Sequence, residues 1–190
     1  FGQDSSFAGD ETAQGNADSG GVGDFYYAPP TDFLALCTSN LSDPEIALPG
    51  EHFKAVVYTG NAGTLSVTGV GFQPDATWIK NINSATYDHY LFDGVRGVLQ
   101  ALNPNITAAG GTVASTLTSF DSDGFSLGAS TKVNTSAAHA SWNWLGANGT
   151  VTNTDGTNID STVSANPTAG FSICTYEGTG TAGDSFGHGL

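Results

Sequence analysis

From Phe53 onwards the sequence consists of short strand-like runs separated by turn residues, and this pattern constrains the fold most strongly. Runs rich in Val, Thr, Phe, Tyr and Trp, such as "FKAVVY" and "ASWNWL", alternate with clusters of Gly, Asn, Asp and Ser. The apolar spacing of three or four residues that marks a helix never continues for a useful length. Roughly ten such runs lie between residues 53 and 165. The pattern predicts an all-β protein, an antiparallel sandwich of two sheets.

Two Asp-Gly pairs predict where strands turn back on themselves. Asp123-Gly124 lies between Phe120 and Phe125, and Asp155-Gly156 lies between two Thr-rich runs. This dipeptide supplies the positive φ angles that tight hairpins require. We therefore expect a tight hairpin at each pair.

The end of the chain repeats the beginning of this region. Shifted by 118 positions, Phe171–Leu190 aligns with Phe53–Phe72, so that Phe171 falls on Phe53 and Tyr176 on Tyr58, with three glycines in the same register. We interpret residues 166–190 as the start of a second copy of the 53–165 domain. The sequence has no Met and opens without a signal-peptide pattern, so we expect a segment of a longer polypeptide.

The first fifty residues differ from the rest in composition. Residues 1–41 hold a long polar stretch, a Pro-Pro break and an apolar run that predicts a strand around Phe33 to Thr38. Prolines at 44 and 49 mark residues 42–52 as a linker. Lone strands need partners for their edges. We therefore expect the apolar side chains of both end strands to be covered, namely Phe33, Leu34, Leu36, Phe171, Ile173 and Tyr176.

The charge balance excludes two classes of partner. The formal net charge is −14, and the four cations are Lys54, Lys80, Arg96 and Lys132. Binding to nucleic acid needs clustered cations, and anionic membranes repel such a chain. No apolar run approaches the roughly 18 residues that span a bilayer. We expect neither nucleic acid nor membrane as a partner.

The stretch "HASWNWL" separates aromatic from polar side chains. Alternation along a strand places Ala140, Trp142 and Trp144 on one face. The opposite face carries three polar residues, His139, Ser141 and Asn143. Trp78 sits in a similar alternation in "ATWIK". Such aromatic rows either fill a sandwich core or form platforms that stack on sugars, and we expect core.

Metal and catalytic patterns are weak throughout. The four histidines, His52, His89, His139 and His188, lack the spacing of a zinc face. The runs Asp121/Asp123 and Asn153/Asp155/Asn158/Asp160 could offer oxygen ligands to calcium, but turn chemistry explains them equally. The four glutamates, Glu11, Glu45, Glu51 and Glu177, form no pair on one strand. We expect no catalytic residue, no metal and no cofactor, and hence a non-enzyme.

Other single residues have structural interpretations. We expect Arg96 to bridge to Asp93, with an anion clamp as the alternative. Cys37 and Cys174 lie in apolar contexts and are predicted to be buried free thiols. Four Asn-X-Ser/Thr acceptors occur, at Asn40, Asn105, Asn134 and Asn148, as expected by chance in an Asn/Thr-rich chain.

Two parts of the sequence resemble components of tailed-phage particles. In residues 1–41, the stretches "FGQDSSFAG" and "DFYYAPPTDFLALCTSNL" resemble the C-terminal end of SPRY-like, concanavalin-type sandwich domains found in virion and tail-fibre proteins. "GFQPDATWIKN", "HYLFDGVRG", "LTSFDSDGFSLG" and "ASWNWLGANGT" are similar to an uncharacterised β-domain that follows them, sometimes in tandem. The resemblance implies a jelly-roll or concanavalin-like fold and a virion or extracellular location. It also implies partners among virion proteins, copies of the chain itself and host surface glycans, and it brings no catalytic residues.

Three functions follow as hypotheses. The leading one is a non-catalytic segment of a phage tail fibre or similar appendage that presents β-sandwich units to the host. The alternative is a secreted or cell-surface carbohydrate-binding module, which exposed Trp or Tyr on a concave face would favour. The third is a sandwich hydrolase with altered motifs, which turnover of a polysaccharide would support.

Overall fold

The computed structural model describes residues 4–190. The chain divides into two compact units, Phe1–Ala47 and Leu48–Leu190. The division falls inside the stretch 42–52 that the two prolines mark as a linker. The first three residues of the predicted 1–41 unit lie outside the described residues. Among residues 4–190, no helix has the length and apolar character needed to cross a membrane.

The first unit is built from turns, and the strand predicted around Phe33 to Thr38 is wrong. Among residues 4–47, the one helical element is a single 3-10 turn, Thr38–Asn40. The Asp18 carboxylate accepts hydrogen bonds from the Ala35 N–H and from Asn40 Nδ2, each at 2.6 Å. These side-chain bonds take the place of a strand ladder. Phe33 is 67%, Leu34 54% and Leu36 78% exposed, so the expectation that these side chains are covered is also wrong within this chain.

The second unit begins with a 3-10 turn, Pro49–Glu51, and continues through twelve strands. They are β1 (Phe53–Thr59), β2 (Leu65–Thr68), β3 (Ala76–Asn81), β4 (Tyr90–Asp93), β5 (Gln100–Ala101), β6 (Gly111–Thr112), β7 (Leu117–Asp121), β8 (Gly124–Leu127), β9 (Ala138–Trp144), β10 (Val151–Asn153), β11 (Ser161–Asn166) and β12 (Phe171–Tyr176).

The strands form antiparallel sheets that enclose one core. A four-stranded sheet has the order β1-β9-β3-β4, and a three-stranded sheet has the order β2-β8-β7. Apolar side chains from both sheets meet between them, as in the edge-on contact of Tyr58 with Phe125 at 6.1 Å between ring centroids. The buried cluster comprises Tyr58, Val67, Ile79, Tyr90, Phe92, Ala101, Leu117, Phe125, Leu127 and Val133. The predicted all-β, antiparallel sandwich is confirmed.

The two predicted hairpins have different outcomes. β7 and β8 form the first, with Phe120 opposite Phe125 and Asp121 opposite Gly124, so its turn residues are Ser122 and Asp123. Gly124 has φ +146°, and a Cβ there would overlap the Val67 carbonyl oxygen. The second pair, Asp155-Gly156, lies in a wide loop between β10 and β11, so a tight hairpin there is wrong. Within this loop, Gly156 packs closely on the backbone of Ser185 and Phe186.

The C-terminal strand is integrated into the second unit. β12 pairs antiparallel with β11 in a third sheet of order β10-β11-β12. Phe171 and Ile173 are half-buried, as expected. The expectation that Tyr176 is covered is wrong, since it is 51% exposed and stacks on Phe186 with 3.9 Å between centroids. The interpretation of residues 166–190 as the start of a second copy stays a prediction.

Candidate binding face

The central strand β9 buries its polar face, opposite to the expected orientation. His139, Ser141 and Asn143 are fully buried, whereas Trp142 and Trp144 are half-buried on the other face of the sheet. The prediction that the tryptophans fill the sandwich core is therefore wrong. They lie on the outer surface of the four-stranded sheet.

A closed hydrogen-bond network makes the polar inner face stable. Asn143 Nδ2 donates to the Lys54 carbonyl at 3.0 Å and to Ser141 Oγ at 3.1 Å. Its Oδ1 accepts a 3.0 Å bond from Thr77 Oγ1. Among the described residues, no buried side-chain nitrogen or oxygen lacks a partner. Burial of polar groups costs little free energy when each has its hydrogen bonds.

The buried histidine of this face is held as a neutral ring. His139 stacks on Tyr58 with 5.1 Å between ring centroids and 8° between planes. Its Nδ1 lies 3.0 Å from the Ala137 carbonyl oxygen, and burial lowers the pKa of His139. The Tyr58 hydroxyl donates to the Val133 carbonyl at 2.6 Å, and burial raises the pKa of Tyr58. Both rings therefore serve packing and not proton exchange with solvent.

We define the tryptophan face as the outer surface of the four-stranded sheet around Trp78, Trp142 and Trp144. In the strand register, Trp142 lies opposite both Ala55 and Trp78. The Trp78 and Trp142 rings meet edge-on at 6.1 Å between centroids. On the β1 side the surface continues into Val57, which is 66% exposed. The face is thus a row of rings beside small aliphatic side chains.

A polar contact fixes one end of the tryptophan face. Trp78 Nε1 donates to His89 Nδ1 at 3.0 Å. Desolvation, followed by the neighbouring Lys80 charge, lowers the pKa of His89, which keeps this nitrogen available as an acceptor. Lys80 Nζ in turn donates to the carbonyl groups of Tyr87 and Ser84. The Trp78 ring is therefore held in one orientation.

An aromatic groove separates the tryptophan face from β12. It has a volume of about 260 Å³, and its apolar walls are formed by Trp78, Leu91, Trp144, Phe171 and Ile173. Phe171 stacks on Trp144 with 5.9 Å between centroids and 18° between planes. Phe53 contacts the same ring at 5.1 Å. Trp144 is thus wedged between two phenylalanines.

The groove has one charged wall residue, and its charge is neutralised. Asp93 Oδ2 lies 2.6 Å from Arg96 Nη2 and 2.7 Å from Arg96 Nε, and Oδ1 accepts the Arg96 N–H at 2.8 Å. Arg96 Nη2 also donates to the Leu91 carbonyl at 3.2 Å. The predicted bridge between Arg96 and Asp93 is confirmed. The guanidinium is engaged inside the protein instead of forming an anion clamp.

Residues 48–190 match a family described as "Domain of unknown function (DUF7483)". The chain belongs to the DUF7483 family. The matched residues coincide with the second compact unit, so the DUF7483 domain contains the whole tryptophan face and the aromatic groove. No curated protein and no solved structure matches the chain.

The Asp- and Asn-rich turns of the DUF7483 domain use their side chains internally. The Asp123 carboxylate accepts the N–H groups of Gly69 at 3.0 Å and Gly71 at 2.6 Å, and these bonds lower the pKa of Asp123. Asp121 accepts the hydroxyls of Ser119 and Ser126. Residues 4–190 contain no group of three or more His, Cys, Asp or Glu side chains placed to hold a metal ion. The turn interpretation thus accounts for the Asp121/Asp123 run.

Remaining candidates are spread over the molecule. Asp160 and Glu177 line one open depression of about 460 Å³ on the third sheet, a proximity that their separation in sequence does not reveal. Cys37 and Cys174 are free and half-buried. Among the four sequons, Asn134 is fully buried and donates to the Gly63 and Gly128 carbonyls, so its side chain is committed to the fold.

Proposed function

We propose that the DUF7483 domain is a non-catalytic adhesion unit that binds saccharides through its tryptophan face. The observation that carries this proposal is the position of Trp78, Trp142 and Trp144, which lie half-buried on one outer sheet surface and not in the core. Indole rings offer broad apolar faces that stack on the C–H face of a sugar ring. A surface with several such rings marks an interaction site.

The rigidity of the tryptophan face supports binding. Trp78 is oriented by its bond to His89, and Trp144 is wedged between Phe53 and Phe171. Rings that are already ordered lose little conformational entropy when a ligand docks. A preformed row of this kind suits a ligand with repeated flat units, such as an oligosaccharide.

The charge of the whole chain narrows the ligand class. The chain has a formal net charge of −14, and Arg96 is paired with Asp93 at one end of the tryptophan face. Long-range electrostatics therefore disfavour sulfated, phosphorylated or uronic-acid polymers. Neutral saccharides fit the proposal best.

The direct test is saccharide binding by the chain and by a Trp142→Ala variant. All three tryptophans of the chain lie on the tryptophan face, so intrinsic fluorescence reports binding there without a label. We expect a fluorescence change with neutral oligosaccharides and its loss in Trp142→Ala. Tyr27→Ala, which removes an 80% exposed aromatic residue from the first unit, is the matched control and should bind normally. Binding that survives Trp142→Ala would refute the proposal.

The non-catalytic part of the proposal has its own test. The described residues bring Asp160 and Glu177 into one depression, and this pair lies on the third sheet, away from the tryptophan face. Prolonged incubation with the bound oligosaccharide should leave its length unchanged by mass spectrometry. Hydrolysis that stops in an Asp160→Asn/Glu177→Gln double variant would replace the adhesion proposal with a hydrolase.

A second proposal concerns the setting in which the domain works. We propose that the chain is a segment of a phage tail fibre or similar virion appendage. Its support is the resemblance of residues 1–41 to the end of a SPRY-like domain, together with two successive compact units along the chain. Mass spectrometry of purified particles should detect peptides from both units. Their absence from particles would remove the virion setting and leave the saccharide proposal to its own test.

A further inference from the structure

The aromatic groove differs chemically from the open part of the tryptophan face. Trp142 lies beside Ala55 and Ala140, where a flat ligand can lie along the surface. The groove instead has a volume of about 260 Å³, and three aromatic rings line it, those of Trp78, Trp144 and Phe171. A sugar hydroxyl placed there would lose its hydrogen bonds to water, which costs free energy. The groove therefore favours an apolar substituent over a hydroxyl.

Two polar residues, Asp93 and Ser172, also line the groove and can select among the substituents that enter it. Asp93 is one of the residues that line the groove, and the charge of its carboxylate is balanced by Arg96. Within the described residues, Asp93 Oδ1 accepts one hydrogen bond, from the Arg96 N–H at 2.8 Å. A carboxylate oxygen has a second lone pair, which can accept a bond from a ligand. An acetamido group has a methyl for the apolar walls and an N–H for this oxygen. A 6-deoxy methyl has no such donor.

We infer that the aromatic groove is a specificity subsite for the acetamido group of a neutral N-acetylhexosamine, held next to a sugar ring stacked on Trp142 or Trp78. The inference rests on the proposed saccharide-binding function and names the ligand class for the same face. The spacing supports it, since the Trp142 and Trp78 rings are 6.1 Å apart and Trp78 also forms a wall of the groove. A substituent on a ring stacked at this point reaches the groove directly.

The experiment compares three ligands by calorimetry and tryptophan fluorescence on the whole chain. The first two are trimers of β-1,4-linked N-acetylglucosamine and of β-1,4-linked glucose, which share a backbone and differ at the 2-substituent. The third is a neutral trisaccharide that carries a 6-deoxy sugar. We expect the acetylated trimer to bind about tenfold more tightly than the other two, the discrimination that a methyl-sized group gives in an apolar site.

Two variants test whether the preference for the acetylated trimer arises in the aromatic groove. Ile173→Phe narrows the groove and should reduce the affinity for the acetylated trimer to that for the glucose trimer, whose own affinity should not change. Ile106→Phe makes the same change at a 45% exposed position outside the groove and should have no effect. The ligand comparison on the unmodified chain decides the inference even where Ile173→Phe fails to fold.

The outcomes separate this inference from the proposed function. Equal affinity for the acetylated and glucose trimers, with both lost in Trp142→Ala, overturns the acetamido subsite and leaves saccharide binding standing. Preference for the 6-deoxy ligand also overturns the subsite. Absence of binding to all three trimers, in a chain that also fails with other neutral oligosaccharides, overturns both.

Discussion

At the scale of single residues, stability depends on the buried polar face of β9. Asn143 satisfies the Lys54 carbonyl and the Thr77 hydroxyl, so Asn143→Ala leaves both groups buried without these bonds. Unsatisfied buried groups of this kind cost about 1–3 kcal/mol each. We expect a loss of about 2–3 kcal/mol in the free energy of unfolding, measured by urea denaturation. Thr152→Ala, at an exposed position on β10, is the control and should be nearly neutral. A loss below about 0.5 kcal/mol for Asn143→Ala would contradict the role of the network.

The neutral state of His139 predicts how stability depends on pH. Burial lowers the pKa of His139 in the folded state below the ordinary value of 6.5 that a histidine has in the unfolded chain. Between these two pKa values the unfolded chain binds more protons than the folded one, so acidification favours unfolding. The stability that the neutral His139 ring contributes is complete above pH 6.5. It declines as the pH falls from 6.5 towards the pKa of His139 in the folded state. We expect the free energy of unfolding to drop between pH 7.5 and 5.5. The drop should be smaller in His139→Asn and smaller again with His89→Asn added, since the pKa of His89 is also lowered. An equal drop in all three proteins would contradict this account.

At the scale of strands, the sequence predicts which side chains share a face but not which face is buried. The alternation in "HASWNWL" correctly separates Trp142 and Trp144 from the polar residues of β9. A period of two is symmetric, however, and hydrophobicity points the tryptophans inward. What reverses the orientation is a set of partners far away in sequence, such as Thr77 and Lys54. The aromatic groove could not be predicted from the sequence for the same reason, because Phe171, which lines it, belongs to a different sheet from the tryptophans.

Gly124, at the β7–β8 hairpin, allows close packing within the β2-β8-β7 sheet, and its substitution tests that packing. Gly124 combines φ +146° with close approach to the Val67 carbonyl, so Gly124→Ala introduces both backbone strain and overlap. The substitution should weaken the pairing of β2 with β8 and cost about 2–4 kcal/mol in thermal or urea unfolding. Gly149→Ala is a matched control, because a Cβ there meets no atom within 4 Å. Comparable losses in the two variants would show that Gly124 has no special role.

At the scale of the whole molecule, the two units are stabilised internally by different kinds of interaction. The buried apolar cluster belongs entirely to the DUF7483 domain, between Tyr58 and Val133. In residues 4–47 the fully buried side chains are Ser5 and Asp18, and no apolar side chain is fully buried. Composition alone could not reveal this difference, since "FYYAPPTDFLALC" is as apolar as many core strands. In the first unit the Asp18 carboxylate accepts backbone N–H groups, and these bonds stabilise turns instead of a strand.

The DUF7483 domain should fold independently of the first unit. A chain of residues 48–190 retains the full core, all three tryptophans and every strand found in residues 4–190, so it should fold without the first unit. Its free energy of unfolding should lie within about 1 kcal/mol of that of the whole chain, with the same tryptophan emission. A peptide of residues 1–47 should show no cooperative unfolding by circular dichroism, because it lacks the buried apolar area that offsets chain entropy. Saccharide binding provides the functional control, since the tryptophan face lies wholly within residues 48–190. Failure of the 48–190 chain to unfold cooperatively would show that the stability of the DUF7483 domain depends on the residues before it.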